Sequence, residues 1–194
     1  TQASTYSLGV GNRSMLLGAE IQNPVCKEDS IKLTFKATNL DGQPVSVEGN
    51  YKLYPVVGGA KSEEVMKGTP AYTGTFVSNK ETLLPGWTSV PSGEYLLVMS
   101  AKDDQGREVT GEEEVILFSI KDKRPPVDKA IWYYAENTSF DAAHPAVFYF
   151  GTSKKDAYVM MNLFSGNRML ESKVLRLSDS IERFEYPYKE SYGN

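Results

Sequence analysis

The sequence predicts an all-β chain made of two immunoglobulin- or fibronectin-like β-sandwich domains, on three observations. First, Ile31, Leu33, Phe35 and Ala37 alternate with Lys32, Thr34, Lys36 and Thr38. That period of two places apolar side chains on one face of a strand and polar ones on the other. Second, short segments of this kind recur along the 194 residues, divided by turn residues such as Asp41-Gly42 and Asp103-Asp104-Gln105-Gly106. Third, helical periodicity of useful length is absent, apart from one candidate turn at 79–84.

Taken in order, residues 13–22 read as a first strand carrying Met15, Leu17 and Ile21, and 31–38 as a second. Asn39, Asp41 and Gly42 provide the reversal, and Pro44 is expected to open the next strand, where a missing N–H is tolerated. That third strand covers 45–56, with Tyr51, Leu53 and Pro55 on one side. The stretch from 58 to 91 is harder to read: 61–67 is polar and charged, 71–77 suits a short strand, and 79–84 suits a helical turn. Pro91-Ser92-Gly93 then turns the chain into a strand at 95–101, and residues 103–106 form a hairpin into 108–120.

Residues 121–128 interrupt this pattern with charge and two prolines, which cannot join a ladder. The segment is expected to be an interdomain linker open to proteolysis, giving domains 1–123 and 124–194. Beyond it, 131–135, 146–151, 157–164, 170–177 and 181–186 make five strand candidates. A sandwich of this class has about seven. The second domain is therefore expected to be incomplete at its C-terminus, with the open edge covered by neighbouring sequence, the first domain or another chain.

The net charge is −4, and no basic stripe of the kind a phosphate backbone requires is present, so nucleic acid is not an expected partner. No run nears the roughly 18 apolar residues of a membrane helix. Thr1 is not followed by a charged and then apolar leader, so any secretion signal is expected outside this chain. A single cysteine, Cys26, excludes an intrachain disulfide and a thiolate metal cage. It is either a reactive thiol or a small apolar filler beside a loop, and the filler is the expectation. The single histidine, His144, sits in a turn-like Asp141-Ala-Ala-His-Pro and lacks any Gly-x-Ser-x-Gly elbow to work with.

The remaining candidates have structural readings as well. Gly9, Gly11 and Gly18 do not have Gly-x-Gly-x-x-Gly spacing. Glu112, Glu113 and Glu114 would point alternately to opposite faces of a strand, unlike a catalytic carboxylate pair. Asp103, Asp104 and Gln105 offer too few oxygens for calcium and suit a hairpin turn. Trp87, Trp132, Tyr133 and Tyr134 would make a sugar-stacking platform only if exposed together, whereas strand alternation sends at least half to a core. No catalytic, cofactor-binding or metal-binding residue is expected, no cofactor is implied, and the chain is not expected to be an enzyme.

Two segments of the first half resemble a known family. Residues 37–54, with Thr38-Asn39-Leu40 followed by Gly42-Gln43-Pro44-Val45, resemble a strand-turn-strand of the macroglobulin domains in alpha-2-macroglobulin proteins. Residues 84–106, with Pro91-Ser-Gly-Glu-Tyr-Leu-Leu-Val-Met-Ser-Ala-Lys-Asp-Asp-Gln-Gly106, resemble the late hairpin of that domain. The second half, through Phe148-Tyr-Phe-Gly-Thr-Ser153 and 178–188, is similar to the following domain in large Bacteroidetes-type members. The resemblance implies a piece of a large secreted or envelope-anchored, periplasmic protein that traps proteases, some members through a Cys-x-Glu-Gln thioester. Here Cys26 is followed by Lys27, Glu28 and Asp29, so no thioester residue carries over, and no bait segment is recognisable. The implied role is a non-catalytic scaffold whose partners are neighbouring domains of the parent chain and a protease. The alternative is a carbohydrate-binding or adhesin-type sandwich module.

Overall fold

A computed structural model of the chain describes residues 14–58, 60–138, 141 and 143–189. The protein is all-β. In chain order the elements are β1 (Met15–Glu20), β2 (Val25–Cys26), β3 (Lys32–Asn39), β4 (Glu48–Pro55), α1 (Ser62–Val65), β5 (Tyr72–Val77) and β6 (Glu81–Leu83). A 3₁₀ turn (Pro85–Ser89) leads to β7 (Gly93–Lys102) and β8 (Glu108–Phe118). The last five strands are β9 (Trp132–Asn137), β10 (Ala146–Thr152), β11 (Ala157–Ser165), β12 (Arg168–Leu177) and β13 (Ser180–Tyr186). They form two compact units: the first takes the described residues up to Gln22, Ser30–Val90 and Tyr95–Val115, and the second takes Asn23–Asp29, Pro91–Glu94 and Ile116 onward.

In the first unit, β1, β3 and β6 form one sheet, while β8, β7, β4 and β5 stand in that order in another. The alternation of β3 is realised in full: Ile31, Leu33, Phe35 and Ala37 are all buried. Phe35 crosses to the facing sheet, stacking on Phe76 of β5 at 4.4 Å and on Tyr51 of β4 at 5.2 Å between ring centroids. Tyr51 continues the row edge-on to the buried Trp87 at 6.1 Å. Two glycines make room for these rings. Gly49 pairs across the ladder with Phe76, and Gly74 pairs with Tyr51. A Cβ at either position would come within 2.5 Å of the opposing ring. Each ring thus lies over a backbone that only glycine leaves open.

The strand-turn-strand at 31–53 has a different geometry from the expected one. Asn39 Oδ1 accepts from the N–H groups of Asp41 and Gln43, and Gly42 takes φ +79°, so the turn forms as its residues require. Pro44, however, makes only an isolated bridge to Thr38, and β4 starts at Glu48 in the opposite sheet. The crossover is held from the side by the β5–β6 turn. Asn79 Nδ2 donates to the carbonyls of Ala37 and Val45, and the Ser78 hydroxyl accepts from Val47 N–H while donating to Val45 O. Residues 79–84 are therefore not a helical turn: Asn79 adopts φ +59°, and β6 follows as a short edge strand on β3. The polar stretch at 61–67 contains α1, whose Val65 joins Tyr54 and Leu96 in a small cluster on the outer face of β4 and β7. That cover explains why Tyr95, Leu96 and Leu97 are buried in succession.

In the second unit, β10 lies between β9 and β13, and β11 pairs with β12 in a two-stranded sheet. The two-residue β2, unforeseen from the sequence, runs parallel to the end of β8, with Val25 opposite Leu117 and Cys26 opposite Phe118. The core gathers Cys26, Phe118, Val127, Trp132, Val147 and Tyr149. Residues 121–128, expected as the linker, lie inside this unit. Asp122 Oδ2 accepts from Ser119 N–H, Lys123 O accepts from Ile181 N–H, Arg124 pairs with Asp179 at 3.1 Å, and Asp128 pairs with Lys154. Val127 is in the core itself.

Two outcomes follow from this bonding. In limited tryptic digestion of the folded chain, Lys121 and Lys123 should be protected, with early cuts in the charged stretch 61–67; an early cut at Lys121 would show that the segment is loosely held. Asn79→Ala should destabilise the chain by about 2–3 kcal/mol in urea unfolding, through lost hydrogen bonds and positive φ. Asn79→Gly should recover about 1 kcal/mol of that by relieving the backbone alone; equal losses in the two variants would remove the conformational part of the argument.

Candidate functional surfaces

Cys26 is the group with most intrinsic reactivity, and the fold buries it. Its Sγ donates to Glu28 Oε2 at 3.4 Å. Glu28 in turn accepts from the Ser119 hydroxyl and from Ile120 N–H at 3.1 Å. Burial, reinforced by Glu28 and Asp29, pushes the thiol up to about 11. Burial works against the Glu28 carboxylate too, but the bonds from Ser119, Ile120 and Cys26 outweigh it and lower its pKa. At neutral pH the thiol is therefore protonated and poorly nucleophilic. The neighbouring Tyr134 hydroxyl donates to Asp29 at 3.1 Å, and burial raises its pKa above the ordinary tyrosine value. This cluster ties β2, the end of β8 and β9 together. It is bonding of a structural kind.

His144 is exposed, and its Nδ1 lies 3.0 Å from Asp141 Oδ1. The same oxygen accepts from the N–H groups of Ala143 and His144, which lower the Asp141 pKa, the Ala143 bond most. The pair closes a turn. Glu112 and Glu114 face outward on β8, while Glu113 turns the other way. Asp103 is buried and acts as the hairpin's organiser: Oδ1 accepts from Gln105 and Arg107 N–H, and Oδ2 accepts from Arg107 Nε and Ser14 Oγ. Burial opposes its charge, yet these bonds hold the carboxyl below its usual value. Among the described residues no three His, Cys, Asp or Glu side chains gather as a metal-ligand set.

The aromatic residues divide as strand alternation requires. Trp87 is fully buried in the first unit, and Trp132 lies in the core of the second, leaving Tyr133 exposed between Trp132 and the half-buried Tyr134. Trp132 and Tyr134 both pack on Phe118, so Tyr133 points to the opposite face of β9. Gly18 sits within β1, whereas Gly9 and Gly11 lie outside the described residues.

Two surfaces remain. A wide groove of about 710 Å³ in the first unit is lined by Glu48, Asn50, Thr75, Lys80, Glu81 and Thr82, with charges of both signs and the buried Phe76 beneath. In the second unit the β11–β12 hairpin carries Tyr158, Met160, Phe164, Met169 and Val174, each more than half exposed. Pairing sets Met160 opposite Val174 and Phe164 opposite Met169 on one face. Sequence reasoning singled out neither this face nor the Glu28–Ser119 bond. The signal for the face was present in β11, where Tyr158, Met160 and Phe164 interleave with Val159, Met161 and Leu163, so that both faces of one strand are apolar.

No family model matches the chain, and no curated protein matches it. Among solved structures it is similar to the native conformation of E. coli alpha-2-macroglobulin, with a TM-score of 0.39 and 14% sequence identity. The match covers 90% of this chain and 14% of that one, so the chain spans a small fraction of its neighbour's length.

The buried thiol sets a pH dependence of defined sign. Its folded-state pKa of about 11 lies above the ordinary 9.0, so its contribution to stability is full below pH 9 and is lost as pH rises toward 11. In urea unfolding, wild type should lose stability relative to Cys26→Ala across that window. A difference between the two proteins that stays constant from pH 8 to 11 would show that the thiol ionises equally well folded and unfolded.

Proposed function

We propose that this chain is a non-catalytic scaffold, two β-sandwich units of a large alpha-2-macroglobulin-like protein of the cell envelope whose protease-trapping parts lie elsewhere in that protein. One observation carries the reading. The side chains with the greatest chemical potential are spent on internal bonding: Cys26 on Glu28, Asp103 on its own hairpin, and His144 on Asp141. The resemblance of residues 37–54 and 84–106 to macroglobulin domains supports the family, and the all-β sandwich architecture agrees with it. Asp29 stands where a thioester would need glutamine, which supports a role without covalent capture. A scaffold of this kind contributes domain surfaces to a larger assembly, and its partners are neighbouring domains of the parent chain.

The test uses the chain itself with trypsin, methylamine and a glycan array. Intact mass should equal the sequence mass before and after methylamine, and the chain should neither slow trypsin on a small chromogenic substrate nor bind any arrayed glycan. A mass deficit of one ammonia that methylamine converts to an adduct would establish a thioester and overturn the non-covalent role. Saturable glycan binding would favour the carbohydrate-binding alternative.

A further inference from the structure

In the hairpin of the second unit β11 carries apolar side chains on both faces, and the two edges of the hairpin differ. β12 carries Arg168, Glu171, Lys173 and Arg176, charges of the kind that protect an exposed edge from pairing. β11 has no charged residue from Ala157 to Ser165. Among the described residues it has β12 on one side and no strand on the other. Its inner face is engaged, since the Tyr186 hydroxyl lies 3.6 Å from Met161 Sδ. An uncharged strand with high β-propensity and an open edge is a template for another strand.

The geometry points to a second copy of this chain as the occupant, paired antiparallel through β11 about a two-fold axis at Met161. We propose this from the self-complementarity of the strand. Around Met161 two pairs are matched in kind at equal distances, Tyr158 with Phe164 three positions away and Val159 with Leu163 two away, whereas Met160 and Asn162 beside the axis differ. An antiparallel partner centred there sets Tyr158 against the partner's Phe164, Val159 against the partner's Leu163 and Met160 against the partner's Asn162. Aromatic and branched pairs of this sort are the stabilising unit of a sheet. The register also keeps exposed residues with exposed ones, which a one-residue slip would reverse. Charge agrees with the pairing. β11 itself carries no charge, so none is forced into the paired edge. Because the contact maps one surface onto itself, it closes as a dimer and does not propagate through this edge.

The test is sedimentation equilibrium of the full 194-residue chain with a charge-swap series, circular dichroism verifying that each variant is folded. Tyr158 and Phe164 are mostly exposed, so changes there should leave the fold intact. Wild type should be dimeric. Tyr158→Glu alone and Phe164→Lys alone should each weaken the dimer about tenfold, because each change acts twice across the axis. The double variant should regain affinity, since the carboxylate introduced on one copy then faces the ammonium introduced on the other at both symmetry-related positions. A chain that stays monomeric to about 100 µM, a dimer indifferent to the single changes, or a double variant weaker than both singles would overturn the proposal. The first of these results would leave the edge to a different chain or to another segment of a parent protein.

Discussion

The first unit depends on one contact across its two sheets, the ring of Phe35 set between Tyr51 and Phe76. Sheets of this kind pack through the side chains of their inner faces, so their spacing is dictated by whichever residues must fit. Phe35 is fully buried, and truncating a ring of that sort costs about 3–5 kcal/mol. Its seat exists because Gly49 and Gly74 stand opposite Phe76 and Tyr51 in the ladder. A side chain at either glycine would push the ring into the space Phe35 occupies. The aromatic row and the two glycines therefore form one constraint, and the crossover at 44–47 has to be held so that β3 and β4 deliver their rings to the same layer. Ser78 and Asn79 provide that hold through backbone carbonyls and an N–H that belong to no sheet ladder.

Polar groups in the second unit serve the same end by different means. β2 is only two residues long and gains little from its own ladder. Glu28 compensates by accepting from Cys26, Ser119 and Ile120, and Asp29 accepts from Tyr134. A thiol held this way is shielded from ionisation, and a carboxylate held this way stays charged without a cation. The thiol, hydroxyl and carboxylates of this cluster are thereby committed to joining short segments. The β11–β12 hairpin is the exception to this economy. Its outer face carries exposed apolar side chains, and among the described residues no strand pairs with the free edge of β11, a surface suited to association more than to solvation.

Much of the architecture was legible in the residues alone. Alternation located β3, β4, β7, β8 and the last five strands to within a few positions, because half-buried strands must repeat every second residue. The turn chemistry at Asn39, Gly42 and Asp103 was equally readable, since a reversal needs a side-chain acceptor or a positive φ. The one-turn helix α1 and the two-residue β2 were not, being too short to display any period.

Sequence by itself determined the fold class, most of the strand positions and the absence of recognisable catalytic or thioester motifs, all of which depend on residue type and local order. Tertiary structure alone decided which sheet each strand joins. Pro44 and Gly42 read the same whether the chain folds back beside β3 or crosses to the opposite layer, and Ser78 and Asn79, more than thirty residues away, hold the crossing. The role of residues 121–128 was decided in the same way. Two prolines forbid a ladder but do not forbid burial, and the bonds to Ile181, Asp179 and Lys154 come from strands and turns that no local pattern connects to them. The fate of Cys26 is likewise set by Glu28 and Ser119, whose approach exists only after β2 has met the end of β8.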